Sequence, residues 1–307
     1  MSVFTVVTPD DLAPFLQLRA VGDLLELKGI SAGVTNTNYF VTTTQGRYVL
    51  TLFETLRADE LPFYVDLMSH LAHRGVAVAR PIGAVETLCG KPALLAERLS
   101  GTVVEQPSPQ QCHAVGVMLA RMHLAAADYP ARMPNPRGPA WWTRTVRALL
   151  PQVSAEEAEM LRAEVALQQA HRFDDLPAGV VHADLFRDNV LMDGERVGGF
   201  IDFFYACNDA LLFDLAIAVN DWCPLPDGDI DAGRVRAMLA GYQSIRALTA
   251  QEKNDWPVML RAAALRFWVS RLLDYHRPSE GEMVLVKDPD WFRLIIAHHA
   301  QREDFWL

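Results

Sequence analysis

Val181-His182-Ala183-Asp184-Leu185-Phe186-Arg187-Asp188-Asn189-Val190-Leu191, followed by Phe200-Ile201-Asp202-Phe203, is the stretch that decides how this chain is read. Asn189 comes five residues after Asp184 and Asp202 thirteen after that, with apolar β-type runs on either side. A turn after one strand would put Asp184 at a cleft, and the short loop would return Asn189 to the start of the next strand. Asp202 would end that strand's partner, so three hard oxygen donors gather where a divalent cation can sit. An ordinary surface turn also favours Asp and Asn, and a lone pair at this spacing would mean no more than that. The preceding His182, the flanking strands and the second segment favour a site.

Towards the N-terminus the texture is short and β-like. LLELKGI, NYFVTTT and RYVLTLF read as a three-stranded meander with a turn at Gln45-Gly46. In ADELPFYVDLMSHLAHRG a helix is expected, with Leu61, Val65, Met68 and Leu71 on one face and Gly75 as its stop. Two more strands, around VARPIGAVE and PALLAERL, hinge on Cys89-Gly90-Lys91-Pro92. Beyond Leu99 long helical periodicity takes over, with Val115, Met118, Leu119 and Met122 sharing a face, so the boundary falls near residues 97 to 101. A Pro-rich loop from Tyr129 to Pro139, a helix-rich stretch to about Arg172, and three further helices after the polar stretch complete the order. The expected class is α+β and bilobal. An antiparallel sheet with one helix forms residues 1–99, and a larger, mainly helical lobe forms residues 100–307.

At 307 residues the chain suits two lobes, and half of it is apolar, enough for sizeable cores. A formal charge of −10 argues against a basic footprint for nucleic acid or anionic lipid and favours a small-molecule partner. No run reaches the roughly 20 apolar residues of a spanning helix, and MSVFTVVTPDD lacks a signal-peptide pattern, so a cytoplasmic protein is expected. Cys89, Cys112, Cys207 and Cys223 form no C-x-x-C pair and read as reduced, mostly buried thiols.

The chemistry this set supports is phosphoryl transfer from metal-bound ATP. That reaction needs alignment and charge neutralisation more than covalent help. Asp184 would orient the acceptor hydroxyl and take its proton, while Asn189 and Asp202 would supply oxygens to Mg²⁺. His182 is expected to brace the loop. Competing signatures are missing: Gly90-Lys91 is followed by Pro92 and is a hairpin turn, and neither H-E-x-x-H nor G-x-S-x-G occurs. His70 and His73 read as exposed helix residues.

With these motifs, and with NTNYFV, GRYVLTLFE, GKPALLAERLSG and the IDFFYACNDALLFDLAIAVNDWC block, the chain resembles the aminoglycoside phosphotransferase and choline kinase superfamily. Within it the chain looks like the homoserine kinases of the kinase-like type. The resemblance implies a protein-kinase-like fold and transfer of the ATP γ-phosphate to the side-chain hydroxyl of L-homoserine, on the route to threonine. It matches Asp184 to the catalytic Asp and Asn189 and Asp202 to the magnesium ligands. Glu97-Arg98-Leu99 matches the hinge that meets adenine, and Ser31 to Asn38, with Gly33, Asn36 and Asn38, the loop over the phosphates. One departure stands out: Thr51 occupies the strand position where the superfamily commonly has a Lys, so either another cation takes over, with Lys28 and Arg187 as candidates, or nucleotide binding leans on metal and backbone N–H groups. A zwitterionic acceptor needs a cation for its carboxylate and an anion or carbonyl for its amine. Arg187, Asp221 and Arg266 are therefore expected acceptor contacts, with Tyr205 and Trp222 as walls. Asp214 is expected to brace a loop and Trp268 to pack in the core. An amino sugar or amino alcohol is the alternative acceptor, and a non-catalytic nucleotide-binding regulator is the reading that Thr51 favours.

Overall fold

In a computed structural model, residues 5–30, 36–171, 173–276 and 287–307 are described. They divide into two compact units, one within Met1–Ser100 and the other within Gly101–Glu280 and Val286–Leu307.

The first unit is built on a five-stranded antiparallel sheet of β1 (Leu24–Gly29), β2 (Thr37–Thr43), β3 (Arg47–Leu52), β4 (Glu86–Leu88) and β5 (Lys91–Glu97), in the order β1-β2-β3-β5-β4. Strict alternation of buried and half-buried residues along β2 is what a strand with one face on a core requires. The β2–β3 turn is closed by Thr43, whose hydroxyl accepts from the backbone N–H groups of Gln45 and Gly46. At the β4–β5 turn Cys89 and Gly90 both take positive φ, 51° and 77°, the backbone a two-residue hairpin demands.

Helix α1 (Pro9–Leu18) is an element the sequence reading left out, so this unit carries two helices among the described residues and not one. Its signal was present: Thr8 and Asp11 form a capping box with Pro9 at the first helical position. Helix α2 (Pro62–His73) ends at Gly75 (φ 77°) as expected. Its buried stripe runs through Phe63, Tyr64, Leu67, Met68 and Leu71, while Val65 is only half-buried, because the two aromatic rings take the core-facing positions.

The second unit comprises α3 (Pro109–Ala125), α4 (Pro139–Leu149), α5 (Ala155–Ala170), β6 (Ala178–Val181), β7 (Val190–Asp193), β8 (Arg196–Phe200), β9 (Cys207–Ala210), α6 (Leu211–Trp222), α7 (Ala232–Gln243), α8 (Ala250–His276) and α9 (Asp290–Gln301). The strands pair as two short antiparallel ladders, β6 with β9 and β7 with β8. Helices α3 and α7 approach through glycine. A Cβ on Gly116 would stand 2.2 Å from the Met238 carbonyl oxygen, and one on Gly241 would stand 2.1 Å from that of His113. Trp268 packs in the core with no exposed surface. Cys112, Cys207 and Cys223 are buried thiols, whereas Cys89 is exposed. Among the described residues no helix is long and apolar enough to cross a membrane.

Candidate active site

The loop after β6 is held from beneath by one carboxylate. Asp214, fully buried in the first turn of α6, accepts the backbone N–H groups of His182 (2.7 Å) and Ala183 (2.9 Å). This pins Ala183 at φ 61°, a conformation a β-carbon ordinarily resists. The same carboxylate bonds His123 Nε2 (3.1 Å), and His123 Nδ1 meets the Tyr242 hydroxyl (2.8 Å). Burial alone would raise the Asp214 carboxyl, but the His123 hydrogen bond and the nearby imidazoles outweigh it and hold it below the usual range.

His182 braces the loop on its other side, its Nε2 bonding the Ile201 carbonyl at 2.9 Å and its ring lying 4.6 Å from Phe203. Burial pushes its pKa down, with the Asp214 charge opposing.

Asp184 is half-buried where the loop emerges. Asn189 donates its Nδ2 to both the Asp184 carboxylate (3.0 Å) and the Asp184 carbonyl (2.8 Å). That leaves the Asn189 Oδ1 without a donor among the described residues. The Asn189 carbonyl accepts from Ile201 N–H at 3.0 Å, and Val190 pairs with Phe200, so Asn189 and Asp202 stand at neighbouring strand ends. Asp202 itself is exposed and left-handed, at φ 61° and ψ 60°.

Burial pushes the Asp184 carboxyl up to about 7; Arg266 and Lys287 pull it down, and the Asp202 and Asp188 carboxylates push it up further. Crowding by protein also raises Asp202, although its side chain reaches solvent, with the His182 imidazole opposing. Two carboxylates that disfavour each other's charge beside an open amide oxygen make a set that a hard divalent cation would relieve. Among the described residues no group of three or more His, Cys, Asp or Glu could hold a metal. Mg²⁺ at such a site keeps waters and phosphate oxygens as its remaining ligands, so this donor set fits.

The other expected residues separate. Arg187 is tied to Asp221 through both its backbone N–H (2.7 Å) and its Nε (3.1 Å), and its Nη1 reaches the Glu105 carbonyl. It is therefore already engaged by protein partners. Arg266, 5% exposed, stacks on Phe267 (3.8 Å) and Tyr205 (5.1 Å) and has no hydrogen-bond acceptor among the described residues; the strongest opposing charge on it is that of Asp184. Trp222 is a correction: it has no exposed surface and packs in the core along α6, so it cannot wall a ligand. Arg271, Lys287 and Trp291, which line a cavity with Arg187 and Asp221, were missed. No short motif marks them, since Arg271 on α8, Lys287 just before α9 and Trp291 on α9 reach it from far along the chain.

In the first unit, Ser31 and Gly33 lie outside the described residues. Asn36 is buried, with its Oδ1 unbonded among the described residues. Asn38 Oδ1 accepts the Thr51 hydroxyl at 2.7 Å, so a neutral hydrogen bond stands at the strand position where a lysine is common in the superfamily. The Glu97 side chain pairs with Arg80, and its N–H bonds the Arg80 carbonyl. Leu99, half-buried just past β5, has no backbone hydrogen bond among the described residues. Lys28 is exposed on β1.

Comparison with known proteins gives this geometry a family. The phosphotransferase enzyme family profile matches residues 26–248. A protein named homoserine kinase from Methylobacillus flagellatus is 51% identical over 309 residues, covering 99% of this chain and 97% of the relative. One of the same name from Neisseria meningitidis serogroup B is 48% identical over 301 residues, covering 96% and 99%. The solved choline kinase of Streptococcus pneumoniae shares the protein-kinase-like fold with a TM-score of 0.69 at 13% identity, covering 96% of this chain and 100% of that one. With a family profile across most of its length and relatives near half identical end to end, the chain belongs to the phosphotransferase enzyme family, among the homoserine kinases.

Proposed function

We propose that this chain transfers the γ-phosphate of ATP to the side-chain hydroxyl of L-homoserine, giving O-phospho-L-homoserine. The observation that carries the proposal is Asp184 on a loop locked by Asp214, with Asn189 aligned on it, in a chain about half identical to proteins named homoserine kinase. Asp184, whose carboxyl is pushed up to about 7, is suited to accept a hydroxyl proton near neutral pH. The Asn189 amide is oriented by donating to it. Asn189 Oδ1 and the Asp202 carboxylate are the oxygens that would hold Mg²⁺, which when bound supplies positive charge against the phosphate oxygens. Arg266 keeps a cation beside Asp184, where negative charge gathers during transfer. In the sheet unit Asn36, Asn38 and the backbone of Leu99 are proposed nucleotide contacts. In the helical unit Arg187, Asp221 and Tyr205 belong to the acceptor side. A cytoplasmic location goes with this reading.

ADP release by purified protein, tested with homoserine, choline, hydroxylysine and aminoglycosides, decides the acceptor. Turnover is expected on homoserine, and turnover on another member with none on homoserine rejects the proposal. The Thr51–Asn38 hydrogen bond favours a second reading, a nucleotide-binding regulator without turnover. Mg²⁺-dependent ATP binding with no turnover on any acceptor would establish it.

A further inference from the structure

Beside the catalytic loop the helical unit holds a cavity of about 490 Å³, lined by Val104, Phe186, Arg187, Asp221, Arg271 and Trp291 among others. Its charged groups differ in how far they are already matched. Arg187 is bound to Asp221 and to the Glu105 carbonyl, and Lys287 pairs with Asp188 at 3.0 Å. Arg271, near the end of α8, lies over the Phe292 ring (4.5 Å) and gives one donor, Nη1, to the Asp288 carbonyl at 2.9 Å. A guanidinium has five donors in a planar fork, and the rest of these have no acceptor among the described residues. Asp221, buried in the same cavity, accepts only through Oδ2, which leaves Oδ1 open.

We propose that Arg271 and Asp221 form the subsite for the zwitterionic end of the acceptor, the guanidinium taking an α-carboxylate and the Asp221 carboxylate an α-ammonium. The inference rests on the acceptor reading above and names the class, an α-amino acid with a side-chain hydroxyl. Three features support it. A spare planar fork suits a carboxylate bidentately, which an ammonium cannot do. The cavity carries both signs of charge, as a zwitterion requires and a purely cationic amino sugar does not. Phe186, Arg187 and Asp188 of the lining belong to the loop that bears Asp184, and Arg271 lies near enough to feel the Asp184 charge. Homoserine spans only about 5 Å from hydroxyl to carboxylate carbon, from bond lengths of about 1.5 Å. Arg266 does not line this cavity and faces Asp184 instead, so it serves the reacting end.

The test compares L-homoserine with L-homoserinol, in which the carboxylate is replaced by a hydroxymethyl group while the reacting hydroxyl is kept. Wild-type kcat/KM should favour homoserine by about 10- to 100-fold, the usual range for a charge-assisted contact. Arg271→Ala should lower the homoserine value by a similar factor, chiefly through KM, and leave homoserinol unchanged. Arg271→Lys should fall between. Equal losses on both acceptors in a variant with a wild-type melting transition overturn the subsite, as does undiminished preference for homoserine. If Arg271→Ala does not fold, Arg271→Lys carries the same comparison, and a loss confined to homoserine is again the expected result. Wild-type protein that phosphorylates homoserine while the variants show no selective loss overturns only this subsite. Wild-type protein that phosphorylates neither compound overturns the acceptor reading and the subsite with it.

Discussion

The sheet unit and the helical unit bury different kinds of polar group. Among the described residues the sheet unit's buried polar side chains are Asn36, Thr37 and Thr43, all neutral. Every buried His, Asp, Glu and Arg among the described residues belongs to the helical unit, including His182, Asp214, Asp221, Arg266 and His299. Burying charge is costly unless partners are fixed in place, and long helices packed on short ladders can supply partners from distant parts of the chain. The difference teaches where this fold keeps its buried charge: the sheet unit buries neutral side chains, and the buried charged groups lie in the helical unit, several of them around the loop that carries Asp184.

The hardest blow to that contrast would come from Asp184→Ala. Steady-state turnover should fall by about 10²–10⁴, the contribution of a positioned general base. A variant with near wild-type turnover would remove Asp184 from the role. Next in size is Asp214→Ala, which strands the N–H groups of His182 and Ala183 and the His123 imidazole. Denaturant unfolding should show a loss of about 3–5 kcal/mol, as when one partner of a buried charged network is removed.

A pH effect sharpens the same comparison. His299, buried on α9 and bonded to Asn220 at 2.8 Å, is held at a pKa of about 3 by burial and then by the Arg302 and Arg261 charges. An unfolded His titrates near about 6.5. The unfolded chain therefore binds the proton first, and the stability His299 contributes is complete above about pH 6.5 and lost as pH falls toward 3. At pH 5 the loss should be on the order of 2 kcal/mol. His299→Gln should flatten that part of the stability-versus-pH curve, and an unchanged acid limb would show the cost lies elsewhere. The smallest effect is expected in the sheet: Thr51→Val should cost about 0.5–1.5 kcal/mol, one neutral hydrogen bond, with ATP affinity little changed. A large drop in ATP binding would mean that the neutral pair at Asn38 and Thr51 takes over from the missing lysine.

The residues also show what reading the sequence could reach. The meander, the β4–β5 turn and the stop at Gly75 were legible because alternation, positive-φ turn residues and helix caps act within a few residues. Helix α1 was legible in the same way through Thr8 and Asp11 but was passed over. Trp222 misled, because an aromatic residue one position from Asp221 on a helix points to a different face, and only packing decides which face is core. Arg271 left no signal, since its meaning depends on a carboxylate fifty residues earlier in sequence and on a ring on another helix.

The sequence alone determined the β-meander, the helix stop at Gly75 and the placing of Asp184, Asn189 and Asp202 beside short strands, for each depends on local spacing and turn chemistry; its motifs carried the family resemblance. Tertiary structure alone decided which N–H groups Asp214 holds, that Trp222 is core, and that Arg187 is already matched while Arg271 keeps spare donors. Those outcomes follow from which side chains meet after folding, and hydrogen-bond satisfaction inside a packed core is a property of the whole unit and not of any short segment.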